Sequence, residues 1–294
     1  MSNRVINHQR FDEVVGIVRD AYIRSTKGEP VIQPVFGLSG VGKSFSIRII
    51  SQMIRANGRD EVLEVEFPQM RSYRAVIDEC LTAFRLSPRA YRNEAQAMEG
   101  LARQVAAKNV KLIIFDESQN LLERKHGINP RAMADTIKQI FNKCEVSIAV
   151  FGMPDAQQLF KSNEQLARRS LAPFRFYPYE WTGREFKNFR SALAASIQYM
   201  HSLNIETFEL SNLDFAKRMY VASSGRVALS EKLVKEVVGM GVNRAFLEEF
   251  EKAYTRSAFS FFVEANPFTP SRLISEQDMA SSYLSAMREG NADV

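Results

Sequence analysis

Cysteine and histidine are scarce in this chain: Cys80 and Cys144 are the two cysteines, and His8, His126 and His201 the three histidines, among 294 residues. The cysteines fall in helix-like segments without Cys-x-x-Cys or Cys/His spacing, which speaks against a disulfide framework and a zinc site and leaves them as buried structural thiols. The scattered histidines suggest no metal cluster. Long uncharged apolar runs are lacking too, and the opening Met1-Ser2-Asn3-Arg4 has no apolar stretch behind its charge. We therefore expect no membrane span and a cytoplasmic protein. There is no internal repeat and no low-complexity tract.

What remains is an ordinary globular composition, 45% apolar and 25% charged, enough to bury a core. The net charge of +5 is mildly basic. That balance is compatible with nucleic acid without establishing it.

Strand and helix signals alternate along the first 180 residues. Phe11, Val14, Val15, Val18 and Tyr22 predict an amphipathic helix, and 31–36 a strand in which Pro34 is discordant, because proline cannot donate to a central ladder. Further strands are expected at 62–67, 110–115, 146–151 and 174–177, with helices from Phe45 to the Asn57-Gly58 stop, over 73–86, 91–107 and 131–143. This alternation implies a parallel sheet covered on both faces. From Thr182 onward helical patterns dominate. We expect an N-terminal helix or extension at 1–30, an α/β core with a five-stranded parallel sheet at 31–180, and a small all-helical lid at 181–257. The tail at 258–294 reads as partner-binding or partly disordered.

Two motifs carry chemistry. Gly37-Leu38-Ser39-Gly40-Val41-Gly42-Lys43-Ser44 fits G-x-x-x-x-G-K-[ST] between a strand-like run and a helix. In such a loop the backbone N–H groups of Gly37, Ser39, Gly40, Val41 and Gly42 wrap phosphates, Lys43 reaches the β- and γ-phosphates of ATP, and Ser44 ligates Mg²⁺. The second is Leu112-Ile113-Ile114-Phe115-Asp116-Glu117, an apolar strand ending in two acids. Asp116 is expected to hold Mg²⁺, directly or through water, and Glu117 to act as general base on the attacking water.

The extra strand between these motifs and the helical region after the sheet make the chain resemble an AAA+ ATPase. The resemblance implies an arginine finger, placed on Arg168 or Arg169 in Gln165-Leu166-Ala167-Arg168-Arg169. It also implies a second, cis-acting arginine, placed on Arg226 after Ser223-Ser224-Gly225. The usual polar residue after the fourth strand is missing, since that strand runs into Gly152-Met153-Pro154.

Phe151-Gly152-Met153-Pro154-Asp155-Ala156, the Gln165 to Arg169 region, and Trp181-Thr182-Gly183-Arg184-Glu185-Phe186 resemble, more narrowly, the TnsC/TniB family of transposition regulators, relatives of the phage Mu B protein. That resemblance implies an ATP-dependent ring or filament on duplex DNA of any sequence, recruitment of transposase subunits, and hydrolysis coupled to disassembly. A target-selection protein or an RNA-guided complex would be a further partner. The expected DNA contacts are Arg124 and Lys125, in a basic loop after the acids, with Arg71 and Tyr73 bordering the same surface. The alternatives are an AAA+ replication initiator or helicase loader, and a nucleotide switch that does not hydrolyse. Initiators usually carry an extra DNA-reading domain or a recruiting extension, neither of which is read here, and Glu117 argues against a pure switch.

Overall fold

The computed structural model describes residues 8–69, 72–122, 129–257 and 265–292. Phe11, Val14, Val18 and Tyr22 are buried along one face of α1 (Gln9–Thr26). The chain then alternates: β1 (Ile32–Gly37), α2 (Lys43–Arg55), β2 (Glu61–Glu66), α3 (Tyr73–Ala83), α4 (Glu94–Ala107) and β3 (Val110–Asp116). It continues with α5 (Pro130–Cys144), β4 (Ser147–Gly152), the short helices α6 (Gln157–Lys161) and α7 (Glu164–Ala167), and β5 (Phe174–Phe176). Local chemistry sets several of these bounds. The Asn93 side chain caps α4 by accepting from Gln96 N at 2.9 Å, and Asn129 does the same for α5 from Arg131 N at 3.0 Å, with Pro130 in the first turn.

All five strands pair in parallel, in the order β2-β3-β4-β1-β5. The expected sheet is therefore present. Its buried strands read as continuous apolar runs, and α3, α4 and α5 turn Val76, Ile77, Leu101, Ile137 and Ile140 into its core. Because the strands are parallel, the carboxyl ends of β1, β3 and β4 lie along one edge, where α/β sheets place their ligands. Gly37, Asp116 and Gly152 mark those ends.

Pro34 does sit in the interior of the sheet, and its accommodation is specific. Ile32 N donates to Arg169 O and Leu171 N to Ile32 O, so even-numbered β1 positions face the β5 side. The next ladder bonds there would need an N–H at 34 and another at 173, and both residues are proline. The buried Gln33 amide fills in: its Nε2 donates to Pro34 O at 2.9 Å and to Ala172 O at 3.2 Å. Gln33→Met would leave two carbonyls without that donor. It should destabilise the protein by about 1–3 kcal/mol, read as a lower urea midpoint with unchanged slope.

The chain divides into two compact units. The α/β unit is Glu13–Gly37 with Lys43–Phe176; the other takes in Leu38–Gly42, the N-terminal residues up to Asp12, and everything from Tyr177 onward. The second unit contains α8 (Gly183–Ser202), β6 (Glu206–Thr207), α9 (Leu213–Ser223), α10 (Val227–Gly239), β7 (Arg244–Ala245), α11 (Leu247–Arg256) and α12 (Glu276–Glu289). Besides the expected helices it thus holds a two-residue parallel pair, β6-β7. Its core is aromatic: Phe208 stacks on Phe215 at 4.2 Å, and Phe215 meets Phe250 edge-on at 4.9 Å.

The segment beyond residue 258 that reads as a tail in the sequence includes α12, which buries Met279, Tyr283, Ala286 and Met287 along one helical face. A buried arginine holds the turn ahead of it. Arg218, on α9, donates to Asp214 at 2.6 Å, to Pro267 O at 2.8 Å, to Thr269 O at 3.1 Å and to Arg272 O at 2.7 Å. Its guanidinium fork matches these acceptors, which is what makes a charge at 2% exposure tolerable.

Candidate active site

Gly40 and Gly42 hold φ of +76° and +112°, a region that side chains disfavour, so the loop between β1 and α2 needs glycine at both. The turn brings Lys43 to the start of α2, where it is buried and its Nζ donates to Gly37 O at 2.8 Å and lies 3.9 Å from Met153 Sδ. Burial lowers the Lys43 ammonium from its ordinary value, while the Glu117 and Asp116 carboxylates act the other way. Ser44, next on the helix, donates from Oγ to Asp116 Oδ2 at 3.1 Å. Burial raises the Asp116 carboxyl, against the hydrogen bond it accepts from Glu117 N at 2.9 Å. The structure thus brings together Lys43, Ser44, Asp116 and Glu117, although Ser44 and Asp116 are 72 residues apart.

An all-oxygen pair of hydroxyl and carboxylate suits a hard dication such as Mg²⁺, which keeps several waters and needs few protein ligands. Among the described residues no group of three or more His, Cys, Asp or Glu could hold a metal, so a metal here would be of that lightly liganded kind. A divalent cation would also relieve the cost that burial places on ionised Asp116.

Glu117 adopts the left-handed conformation, φ +55°, which turns the chain sharply off the end of β3. The three residues after it, which the sequence alone does not single out, tie that turn to its surroundings. Ser118 Oγ donates to Phe151 O, and Asn120 Nδ2 donates to Phe67 O at 2.7 Å. Gln119 is the most telling: its Nε2 donates to the Glu117 carboxylate, and its Oε1 accepts from Met153 N at 2.9 Å. The strand end that lacks a polar side chain, Gly152-Met153-Pro154, is therefore linked to Glu117 by a glutamine from the acid-bearing turn. A run of polar residues straight after an apolar strand is the signal the sequence offers; the partners, on β4 and just past the ends of β2 and β4, are not visible in it.

Within the second unit, Arg226 caps α10 and its NH1 donates to Ser39 O, inside the glycine loop, at 3.4 Å. Ser223 O and Ser224 Oγ receive its other bonds, at 2.9 and 3.4 Å. Burial lowers its guanidinium, with Glu289 acting the other way. Leu229, one turn further on, lies where a side chain at Gly40 would go: a Cβ there would stand 2.7 Å from its Cδ2.

Arg168 and Arg169 lie at the end of α7 and are exposed. Arg168 pairs with Glu164, and Arg169 donates to Asn142 at 3.2 Å and to Gln165 O at 2.9 Å. Tyr73 opens α3 and is 41% exposed. Arg71, Arg124 and Lys125 lie outside the described residues. Cys80 is buried as expected, whereas Cys144 is half-buried, with burial pushing its thiol up to about 12. No helix of the described residues is long and apolar enough to cross a membrane.

The sheet order, the glycine loop at the end of β1 and the acids at the end of β3 define the AAA+ P-loop fold. Residues 32–160 match a family model described as an AAA domain. Among solved structures, the chain is similar to the ORC2 protein of Aeropyrum pernix in ADPNP and ADP complexes, with 13% identity over 87% of this chain and 70% of that one and a TM-score of 0.62. It is also similar to Cdc6p of Pyrobaculum aerophilum, with 12% identity, 99% and 84% coverage and a TM-score of 0.63. A Walker-type ATPase of Pyrococcus abyssi follows at 13% identity, 84% and 69% coverage and a TM-score of 0.52. No curated protein matches the sequence.

Proposed function

We propose that this chain is an ATPase that binds ATP with Mg²⁺ in the loop Gly37 to Ser44 and hydrolyses it with Glu117 as general base. The observation that carries this reading is the convergence of Lys43, Ser44 and Asp116 with Glu117 at the carboxyl edge of the sheet. Lys43 exchanges Gly37 O for phosphate oxygens, and the backbone of Ser39 to Gly42 wraps them. Ser44 and Asp116 would hold Mg²⁺, which supplies charge neutralisation at the phosphates. Glu117 takes the proton of the attacking water, held in place through Gln119. Arg226, already against Ser39 O, serves the same phosphates in cis. Arg168 or Arg169, exposed at the end of α7, acts on the nucleotide of a neighbouring copy.

We further propose that ATP assembles the protein into a ring or filament on duplex DNA, where it regulates transposition by recruiting transposase subunits, and that hydrolysis releases it. Support comes from the motifs that resemble TnsC/TniB proteins, from the exposure of the α7 arginines, and from the exposed Tyr73. With ATP and Mg²⁺, duplexes of unrelated sequence should bind alike in fluorescence anisotropy. Replacing Arg124 and Lys125 together with alanine should reduce the slope of log affinity against log salt by about 2. Unchanged slopes would remove both residues from the DNA surface. Sequence-selective binding would favour the second reading, a replication initiator or helicase loader, which the similarity to the ORC2 and Cdc6p structures supports.

A further inference from the structure

The C-terminal helix α12 reaches the phosphate loop. Its capping residue, Gly290, lies so close to Leu38 that a Cβ there would overlap Leu38 Cδ2 and stand 3.3 Å from its Cγ. Leu38 is only 1% exposed, so it has little room to turn away. Tyr283, further back on the same helix, packs on Trp181 with ring centroids 5.4 Å apart, and the residue just before it makes a polar connection. Ser282 Oγ donates to Val221 O at 2.9 Å and lies 2.8 Å from Ser224 Oγ, the hydroxyl that also receives Arg226 NH2. Arg226 in turn donates to Ser39 O, the residue after Leu38. Two independent routes, one apolar and one polar, therefore run from α12 to adjacent residues of the loop.

The other end of the helix is fixed as well. Ser275 and Asp278 form a reciprocal capping box, Arg272 donates to Asp278 at 3.2 Å, and the turn 267–272 is held by buried Arg218.

We propose that α12 is a brace, in cis, on the phosphate-binding loop, so that nucleotide occupancy and the seating of the C-terminal helix form one coupled equilibrium. Anything that lifts α12 then releases Leu38 and slackens Arg226, and nucleotide leaves. Coupling of this kind is reciprocal: nucleotide must tighten α12 by the factor by which a seated α12 tightens nucleotide. The proposal rests on the reading of Gly37 to Ser44 as the ATP site.

Hydrogen exchange on the full chain, with and without a non-hydrolysable ATP analogue and Mg²⁺, tests it directly. The analogue should slow exchange across 282–290 about tenfold as well as in the loop itself. In the reverse direction, Gly290→Leu should raise the dissociation constant of the analogue about tenfold, and Ser282→Ala should raise it by a smaller factor through the polar route. The backbone at 290, φ −86° and ψ 6°, accepts leucine without strain, so the substitution acts through Leu38. If the unaltered protein binds the analogue while 282–290 exchanges at its ligand-free rate, the brace is wrong and the ATP site stands. If the unaltered protein does not bind the analogue, the ATP reading fails and the brace fails with it.

Discussion

Lys43→Ala is expected to weaken ATP binding by about 10- to 100-fold, the range implied by a charge-assisted hydrogen bond of about 1.5–3 kcal/mol. The surroundings of Lys43 explain why the effect should fall on binding rather than on folding. Lys43 is buried and its charged form is disfavoured by that burial, with a backbone carbonyl and a thioether as near neighbours. Removing the ammonium therefore removes a desolvated charge, and the ligand-free protein should melt close to the unaltered one. The gain in melting temperature that ATP and Mg²⁺ give by mass action should shrink sharply. Calorimetric titration with thermal melts separates the two effects. A variant that binds ATP as the unaltered protein does would take Lys43 out of the site.

Glu117→Gln is expected to behave in the opposite way, leaving affinity for ATP and Mg²⁺ within about threefold while slowing hydrolysis by about 10²–10⁴-fold, the usual contribution of a positioned base. Glutamine preserves the shape of the side chain, and its carbonyl oxygen can still accept from Gln119 Nε2, so the left-handed turn at 117 keeps its anchor. What it loses is the capacity to take a proton from water. Single-turnover phosphate release at saturating ATP reads this loss without interference from product departure. Hydrolysis at an unchanged rate would move the base elsewhere, and weakened binding would make Glu117 a ligand rather than a base.

The loop at Gly37 to Ser44 and the acids at 116 and 117 were legible because each is local: a glycine turn between strand and helix, and charge at the end of an apolar run. The five-strand sheet followed from the same alternation. Pro34 reads as an obstacle in sequence because the residues that resolve it, Pro173 and the Gln33 amide reaching Ala172, depend on which strand becomes the neighbour. Gln119 is silent in the sequence for a related reason, since its meaning comes from Met153 N, just past the end of β4. The C-terminal region was read from its polar composition. Met279, Tyr283, Ala286 and Met287 recur at helical spacing, a period that many serines and charges between them dilute, and nothing in the chain announces that Gly290 meets Leu38.

Burial pushes the Lys43 ammonium and the Asp116 carboxyl in opposite directions, Lys43 down and Asp116 up. On the proposed reading, a phosphate would favour the charged Lys43 and a divalent cation the ionised Asp116. The most direct test is equilibrium binding of a fluorescent ATP analogue to the full chain, with Mg²⁺ and with a chelator. The expected result is saturable binding of one nucleotide per chain that strengthens with Mg²⁺ and is lost on Lys43→Ala. Binding that is absent, or that is indifferent to both Mg²⁺ and Lys43, would contradict the account.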